Sequence, residues 1–315
     1  IALIATTDAV GYTENSNYLN NLFGLSSGSA GIQQFLKGEN NLRIGELVMQ
    51  AKNGNNDYKF HTFGDPALRL PFPAVKDDII HDYPSPISLL KQQTLSVKES
   101  GNNSTLLVRG NDKEFPFGTD SLFYTIPGDT YAQMNSDSSE ICFRIPIDAG
   151  SCDNCTATIQ LYQDNNGFDG KIQYISDIPI VDSNASSNDE TGPDIYVYQN
   201  GGPLIEGSAI IPGIDLTISL DDSSGINLME TIGHGIRYAF DDDDLTLIAG
   251  DEFIYETCSQ GKVQIPVDLG NSPYSFHFYL EAWDGVNNPS TIDLNLDVLG
   301  TPPKSELLLS KVYPF

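Results

Sequence analysis

The chain has 315 residues, enough for two or three domains with cores of their own. Its 43 acidic and 16 basic side chains leave a formal net charge of −27, which argues against nucleic acid or an anionic membrane surface as a partner, since both call for Lys/Arg patches. No apolar run reaches the ~20 residues of a membrane-spanning helix, and no basic stretch followed by an apolar core marks a signal peptide. Such a surface is well solvated, and its dense carboxylates invite divalent cations.

Residues 1–7 form a short continuous apolar run, the pattern of a parallel strand buried on both faces. Because Ile1 opens in mid-strand without Met, the sequence is expected to be an internal piece of a longer protein. A polar loop, Asp8 to Ser16, follows at the carboxyl end of that strand, where parallel α/β sheets build their ligand crevice. Ser16 can cap a helix from about Asn17 to Phe23, and Gly24 to Gly31 is a Gly/Ser segment. Ile44, Leu47, Val48 and Ala51 keep helical i, i+3, i+4, i+7 spacing, with Asn53-Gly54 as the stop. In Tyr58 to Leu70, Phe60 and Phe63 flank a polar pair, Gly64-Asp65-Pro66 turns the chain, and Ala67 to Leu70 reads as a closing strand. Strand, helix, helix, strand fits the second half of a doubly wound α/β domain ending near residue 74.

From Val75 the pattern changes to β-rich runs separated by Gly, Asn, Asp and Ser clusters, as in antiparallel sandwiches. Expected strands are Thr94–Val97, Ser104–Arg109, Ser121–Ile126, Ile141–Ile147, Ala157–Gln163 and Gln173–Pro179. Val181 to Gly192, poor in apolar residues, reads as a linker. A second set follows: Asp194–Gln199, Ala209–Ile211, Leu216–Leu220, Gly235–Phe240, Lys262–Pro266, Ser275–Trp283 and Thr291–Val298. The expected division is an α/β part over 1–74, one β-sandwich over 75–182, a second over 183–300, and the start of a further segment over 301–315.

Phe63-Gly64-Asp65-Pro66-Ala67-Leu68 resembles the close of the caspase-like domain in gingipain-type cysteine peptidases. Ile1-Ala2-Leu3-Ile4-Ala5-Thr6-Thr7 is similar to the family's buried strand that follows the catalytic cysteine, and a helix like Ile44 to Leu47 recurs between the two landmarks. Asp221 to Asn227, Ile232-Gly233-His234, Ala282-Trp283-Asp284 and Asn287-Asn288 look like the immunoglobulin-like domain behind the peptidase domain of this family's type IX secretion sortases. The resemblance implies a cell-surface endopeptidase at the bacterial outer membrane that removes a C-terminal sorting domain from exported cargo. It also implies transfer of the new carboxyl end to surface lipopolysaccharide, and an outer-membrane β-barrel shuttle as a partner. By the same resemblance the nucleophile and its histidine precede the strand matched by Ile1 to Thr6, and Thr7 and Tyr12 wall the substrate pocket. An exposed loop tyrosine is the plain alternative for Tyr12. A secreted protease of the same family and a non-enzymatic adhesion module remain the competing functions.

The residues themselves complete no catalytic set. Gly24-Leu25-Ser26-Ser27-Gly28 matches the nucleophile-elbow pattern but lacks the strand before it and the helix after it. No cysteine lies in the α/β part, and His61, in the Tyr58 to Leu70 stretch that closes that part, reads as structural. Cys152-x-x-Cys155 has no second pair at zinc spacing and no βαβ context for a thioredoxin-like motif. Free thiols or a disulfide among Cys142, Cys152 and Cys155 are expected, with Cys258 in the other sandwich. Asp221, Asp222 and Asn227, then Asp241 to Asp244, then Asp284 with Asn287 offer oxygen donors from three loops, and Asp221, Asp222, Asn227 and Asp284 are the candidate calcium ligands. Solvated turns in which Asp and Asn bond the local backbone are the alternative. His234, His277 and the single tryptophan, Trp283, read as sandwich residues, Trp283 as a core anchor.

Overall fold

The computed structural model describes residues 3–6, 18, 22, 43–52, 60–63, 74–76, 78–98, 103–116, 123–152, 154–164, 170–182, 188–229, 234–241, 243–267 and 275–298. Thr7, Tyr12, the Gly24 to Gly28 motif, the Ala67 to Leu70 strand and residues 301–315 lie outside that set.

In the first part, β1 (Leu3–Thr6) pairs antiparallel with β2 (Phe60–Phe63), Leu3 opposite Phe63 and Thr6 opposite Phe60. A parallel strand was the expectation here. A continuous apolar run reports that both faces are covered, but it does not encode the direction of the neighbour. His61 lies in β2, opposite Ala5. Between them α1 (Ile44–Ala51) buries the four residues that the spacing selects, Ile44, Leu47, Val48 and Ala51. Its first turn is held by Glu46, whose carboxylate accepts from the Arg43 N–H at 2.7 Å. Tyr18 and Leu22, in the first expected helix, are helical and buried.

The remaining described chain is mostly β. First come β3 (Ala74–Val75), β4 (Ile80–Asp82), β5 (Ile87–Ser88), β6 (Gln93–Val97), β7 (Ser104–Gly110), β8 (Lys113–Pro116), β9 (Phe123–Ile126), β10 (Thr130–Ser136) and β11 (Glu140–Phe143). A 3₁₀ turn, Ile147–Gly150, leads to β12 (Thr156–Gln163) and β13 (Lys171–Val181). In the larger sheet β10, β7, β12 and β13 are neighbours in that order, with β3 and β5 each adding a short parallel pairing to β13. A smaller sheet runs β11-β6-β4, and β8 and β9 form a hairpin. Alternation decides what is inside: Leu106 and Val108 of β7 and Ala157, Ile159 and Leu161 of β12 share one apolar cluster with Leu95 and Val97 of β6 and Ile141 and Phe143 of β11.

The second set comprises β14 (Asp194–Gln199), β15 (Gly202–Pro203), β16 (Ala209–Ile210), β17 (Leu216–Asp221), β18 (Ile236–Phe240), β19 (Thr246–Ile248), β20 (Ile254–Tyr255), β21 (Gln260–Ile265), β22 (Ser275–Trp283) and β23 (Pro289–Val298). One sheet is ordered β15-β14-β17-β21-β20, the other β16-β23-β22-β18-β19. Leu216, Ile218, Leu220, Val263 and Ile265 of the first sheet pack in the same core as Phe276, Phe278, Leu280, Leu294 and Leu296 of the second. Burying a side chain such as Phe278, with no exposed surface, contributes about 2–3 kcal/mol.

The two sets are joined. β20 runs parallel to β10, Tyr255 opposite Met134, so the larger sheet of the first set and one of the two five-stranded sheets of the second form one eleven-stranded sheet. A disulfide between Cys142 of β11 and Cys258, just before β21, crosses the same joint. The expected strand Ile141–Ile147 stops at Phe143. Pro146 has no N–H to give a ladder, and the Ile147 N–H is spent across the joint on Gly285 O at 2.8 Å. In the expected linker, Val181 is still the last residue of β13, and residues 188–192 run beside the loops described next.

Candidate functional site

Two loops at one end of the second sheet pair are locked together by their backbones. Ile226 and Asp284 form an isolated antiparallel bridge, the Asn227 N–H donates to Trp283 O at 2.8 Å, and the Gly285 N–H donates to Gly225 O at 2.8 Å. The approach leaves no room for a side chain at Gly285, where an added Cβ would lie 2.3 Å from Ser224 O. Gly225 takes φ +82°, which glycine adopts without strain.

The lock brings three carboxylates together. Asp189, Asp222 and Asp284 each offer an oxygen, and these oxygens lie within 4.8 Å of one another. Asp284 has no exposed surface and Asp222 only 8%. Asp284 Oδ1 accepts from the Asn288 and Val286 N–H groups at 2.7 and 3.0 Å, and Oδ2 from Asn288 Nδ2 at 2.8 Å. Asp222 Oδ1 accepts from the Ser224 N–H at 2.6 Å, and the Ser224 hydroxyl donates to Asp189 Oδ2. Burial pushes Asp222 up to about 6, with the charges of Asp284, Asp189 and Asp221 adding to it against the Ser224 N–H. Burial, with Asp189 nearby, likewise raises Asp284. The Ser224 hydroxyl holds the more open Asp189 below the usual carboxylate range.

Beside this group lies a second polar node that ties the two β sets together. Asp148, on the 3₁₀ turn, accepts at Oδ1 from Asn287 Nδ2 at 2.8 Å and at Oδ2 from Asn227 Nδ2 at 2.9 Å, while His234 Nδ1 sits 2.5 Å from Oδ2. Burial alone would raise Asp148, but the two amides and His234 together hold it below its ordinary value. The Trp283 ring packs against His234 with centroids 4.8 Å apart. Trp283 is therefore a half-buried piece of the joint and not the core anchor expected of it.

Of the four expected calcium ligands, the structure brings Asp222 and Asp284 together. Asp221 turns to the other side of its strand, where Oδ1 accepts from Ser259 Oγ at 3.1 Å. Asn227 spends its Nδ2 on Asp148 and Asn287, and its Oδ1 accepts from the Met229 N–H at 3.0 Å. Asp241 stands apart, accepting from the His277 N–H at 2.8 Å. Asp189, from the expected linker, is the member that sequence reasoning missed; its only signal is an acidic residue just before β14. All four cysteines are in disulfides, Cys142–Cys258 and Cys152–Cys155. The Cys152–Cys155 bond is one of the pairings expected among Cys142, Cys152 and Cys155, whereas Cys142 departs from that set and pairs across the joint with Cys258.

No family model matches the chain, and no curated protein matches it. Among solved structures, the crystal structure of dimeric latent PorU from Porphyromonas gingivalis is similar, at 17% identity and a TM-score of 0.39, over 96% of this chain and 31% of that one. The chain therefore spans about a third of the length of that protein.

Proposed function

We propose that this chain is the β-rich rear part of a gingipain-type cysteine endopeptidase that serves as a sortase of type IX secretion. In this reading residues 1–74 end a caspase-like domain, Thr7 and Tyr12 wall its substrate pocket, and the joined sheets after residue 74 are the scaffold on which cargo and an outer-membrane β-barrel shuttle dock. The chemistry is acyl transfer: a thiolate attacks the peptide carbonyl before the sorting domain, and water or an amine of surface lipopolysaccharide resolves the thioester. Catalytic cysteine and histidine belong to a part of the protein that precedes the strand of Ile1 to Thr6, as in the family it resembles.

What supports the reading is the resemblance carried by Phe63 to Leu68 and by Asp221 to Asn227; within it, every cysteine of the chain is in a disulfide, so the thiolate is assigned to another part of the protein. Two disulfides also suit an oxidising compartment outside the cytoplasm. Within the same reading, the Asp189, Asp222 and Asp284 carboxylates are a seat for a divalent cation that stiffens the joint. Their oxygen-only donor set fits calcium better than zinc.

The test uses the full-length protein and a secreted substrate carrying a C-terminal sorting domain. Cleavage that stops on thiol alkylation, with the cargo recovered on lipopolysaccharide, is the expected result. Cargo released free into the medium points to a secreted protease of the same family. No cleavage, or cleavage that survives alkylation, overturns the assignment and leaves an adhesion module.

A further inference from the structure

The second disulfide, Cys152–Cys155, closes a four-residue loop between the 3₁₀ turn and β12. Its two cysteines are differently placed. Cys152 is exposed, while Cys155 is 7% exposed at the mouth of β12. Thiol–disulfide exchange needs an attackable sulfur and a good leaving thiolate, and this loop supplies both. The Cys152 N–H points at Cys155 Sγ at 3.0 Å, a donor already in place for the charge that grows on a departing sulfur. The same Sγ lies 2.9 Å from Cys152 O, an acceptor ready for the thiol proton once the bond has opened. Cys142 and Cys258, by contrast, are both half-buried, and Cys142 is packed against the core.

We propose that Cys152–Cys155 is a thiol–disulfide exchange site, whose substrate is a small or extracytoplasmic dithiol and whose attacked atom is Cys152 Sγ. One thiolate of the dithiol forms a bond to Cys152 Sγ, the Cys152–Cys155 bond breaks, and Cys155 leaves as a thiolate that takes a proton from solvent. The second thiol of the reductant, deprotonated, then attacks its own partner sulfur in the mixed disulfide and expels Cys152, which is protonated in turn. The dithiol ends as a disulfide, and the protein pair ends as two thiols, two electrons having passed. The ladder beyond is undisturbed, because Cys155 holds the sheet through its carbonyl, which accepts from the Ile180 N–H at 2.9 Å.

The experiment is a titration of the full-length protein with dithiothreitol under native conditions, followed by iodoacetamide and peptide mass mapping. Cys152 and Cys155 should become alkylated at a reductant concentration about tenfold or more below that needed for Cys142 and Cys258. In the Cys155→Ser protein, Cys152 should form a mixed disulfide with an added aromatic disulfide while β12 amides stay protected from exchange. Simultaneous reduction of both bonds, earlier reduction of Cys142–Cys258, labelling of Cys152 without reductant, or loss of β12 protection when the clip opens would each overturn the proposal.

Discussion

Asp148 Oδ1 receives a hydrogen bond from Asn287 Nδ2 at 2.8 Å across a separation of 139 residues. With the bonds from Asn227 and the contact with His234, one carboxylate gathers three groups of the second β set onto the first. Replacing Asp148 by Ala strands those groups in a half-buried joint, and the expected cost is about 2–4 kcal/mol in urea denaturation. The folded-state value is depressed, so this contribution is present above the ordinary carboxylate range and is lost as pH falls through the lowered one. The gap between wild type and Asp148→Ala should therefore narrow on acidification.

The sign is opposite at Asp222, whose value rises to about 6 on folding. Below about pH 4 both states are protonated, and above about 6 both are ionised, so the folded protein is penalised progressively across that window. In the presence of a chelator, melting temperature should carry a fall across the window that Asp222→Asn removes. Calcium added at neutral pH should raise the melting temperature of the wild type and leave the Asp222→Asn protein nearly unmoved. Equal responses of the two proteins would overturn the proposed cation seat at Asp222.

The Cys142–Cys258 bond closes a loop with a sequence separation of 116. Chain-entropy arguments give such a cross-link about 5 kcal/mol, with strain or residual structure reducing it. Replacing both cysteines by Ser should lower stability by about 3–5 kcal/mol, read as a shift of the urea midpoint at constant slope.

Tyr255 should matter through its hydroxyl alone. The Tyr255 O–H donates to Ile226 O at 3.0 Å and accepts from the Ile226 N–H at 2.6 Å, pinning the loop that carries Asp222. Tyr255→Phe leaves both backbone groups unsatisfied inside the protein at a cost of about 1–3 kcal/mol. On the proposed cation seat, the same change should also weaken calcium binding in titration calorimetry, because it frees the loop without touching a carboxylate.

A similar argument applies at Gln173, whose Oε1 accepts from the buried N–H groups of Ile79 and Ile80, both at 2.8 Å. Gln173→Leu keeps the volume and removes the acceptor. A loss of about 2–4 kcal/mol is expected, together with faster amide exchange at residues 79 and 80 and not in the second β set.

Strands with unbroken alternation could be read directly from the sequence. Ser275–Trp283 alternates along its whole length, and its observed bounds match the expected ones. β10 was hidden for a physical reason: it buries Tyr131, Ala132 and Met134, and the register shift between Thr130 and Ala132 breaks the period of two. β20 is too short to carry any period, yet it makes the joint. The acid cluster was half legible, because Asp222 and Asp284 sit in turn motifs, whereas Asp189 is drawn in by a tertiary contact from Ser224. The Cys142–Cys258 pairing was beyond reach, since spacing alone does not fix disulfide connectivity.

The parallel seam between β10 and β20 sets a practical limit on dissection. A gene cut near residue 183 would yield a rear portion whose Cys258 has no mate and whose β20 keeps β21 but has lost β10 on its other side. Bare strand margins and stray thiols promote cross-linked, self-associating material. Recombinant work on either half is best begun with residues 75–298 left in one piece.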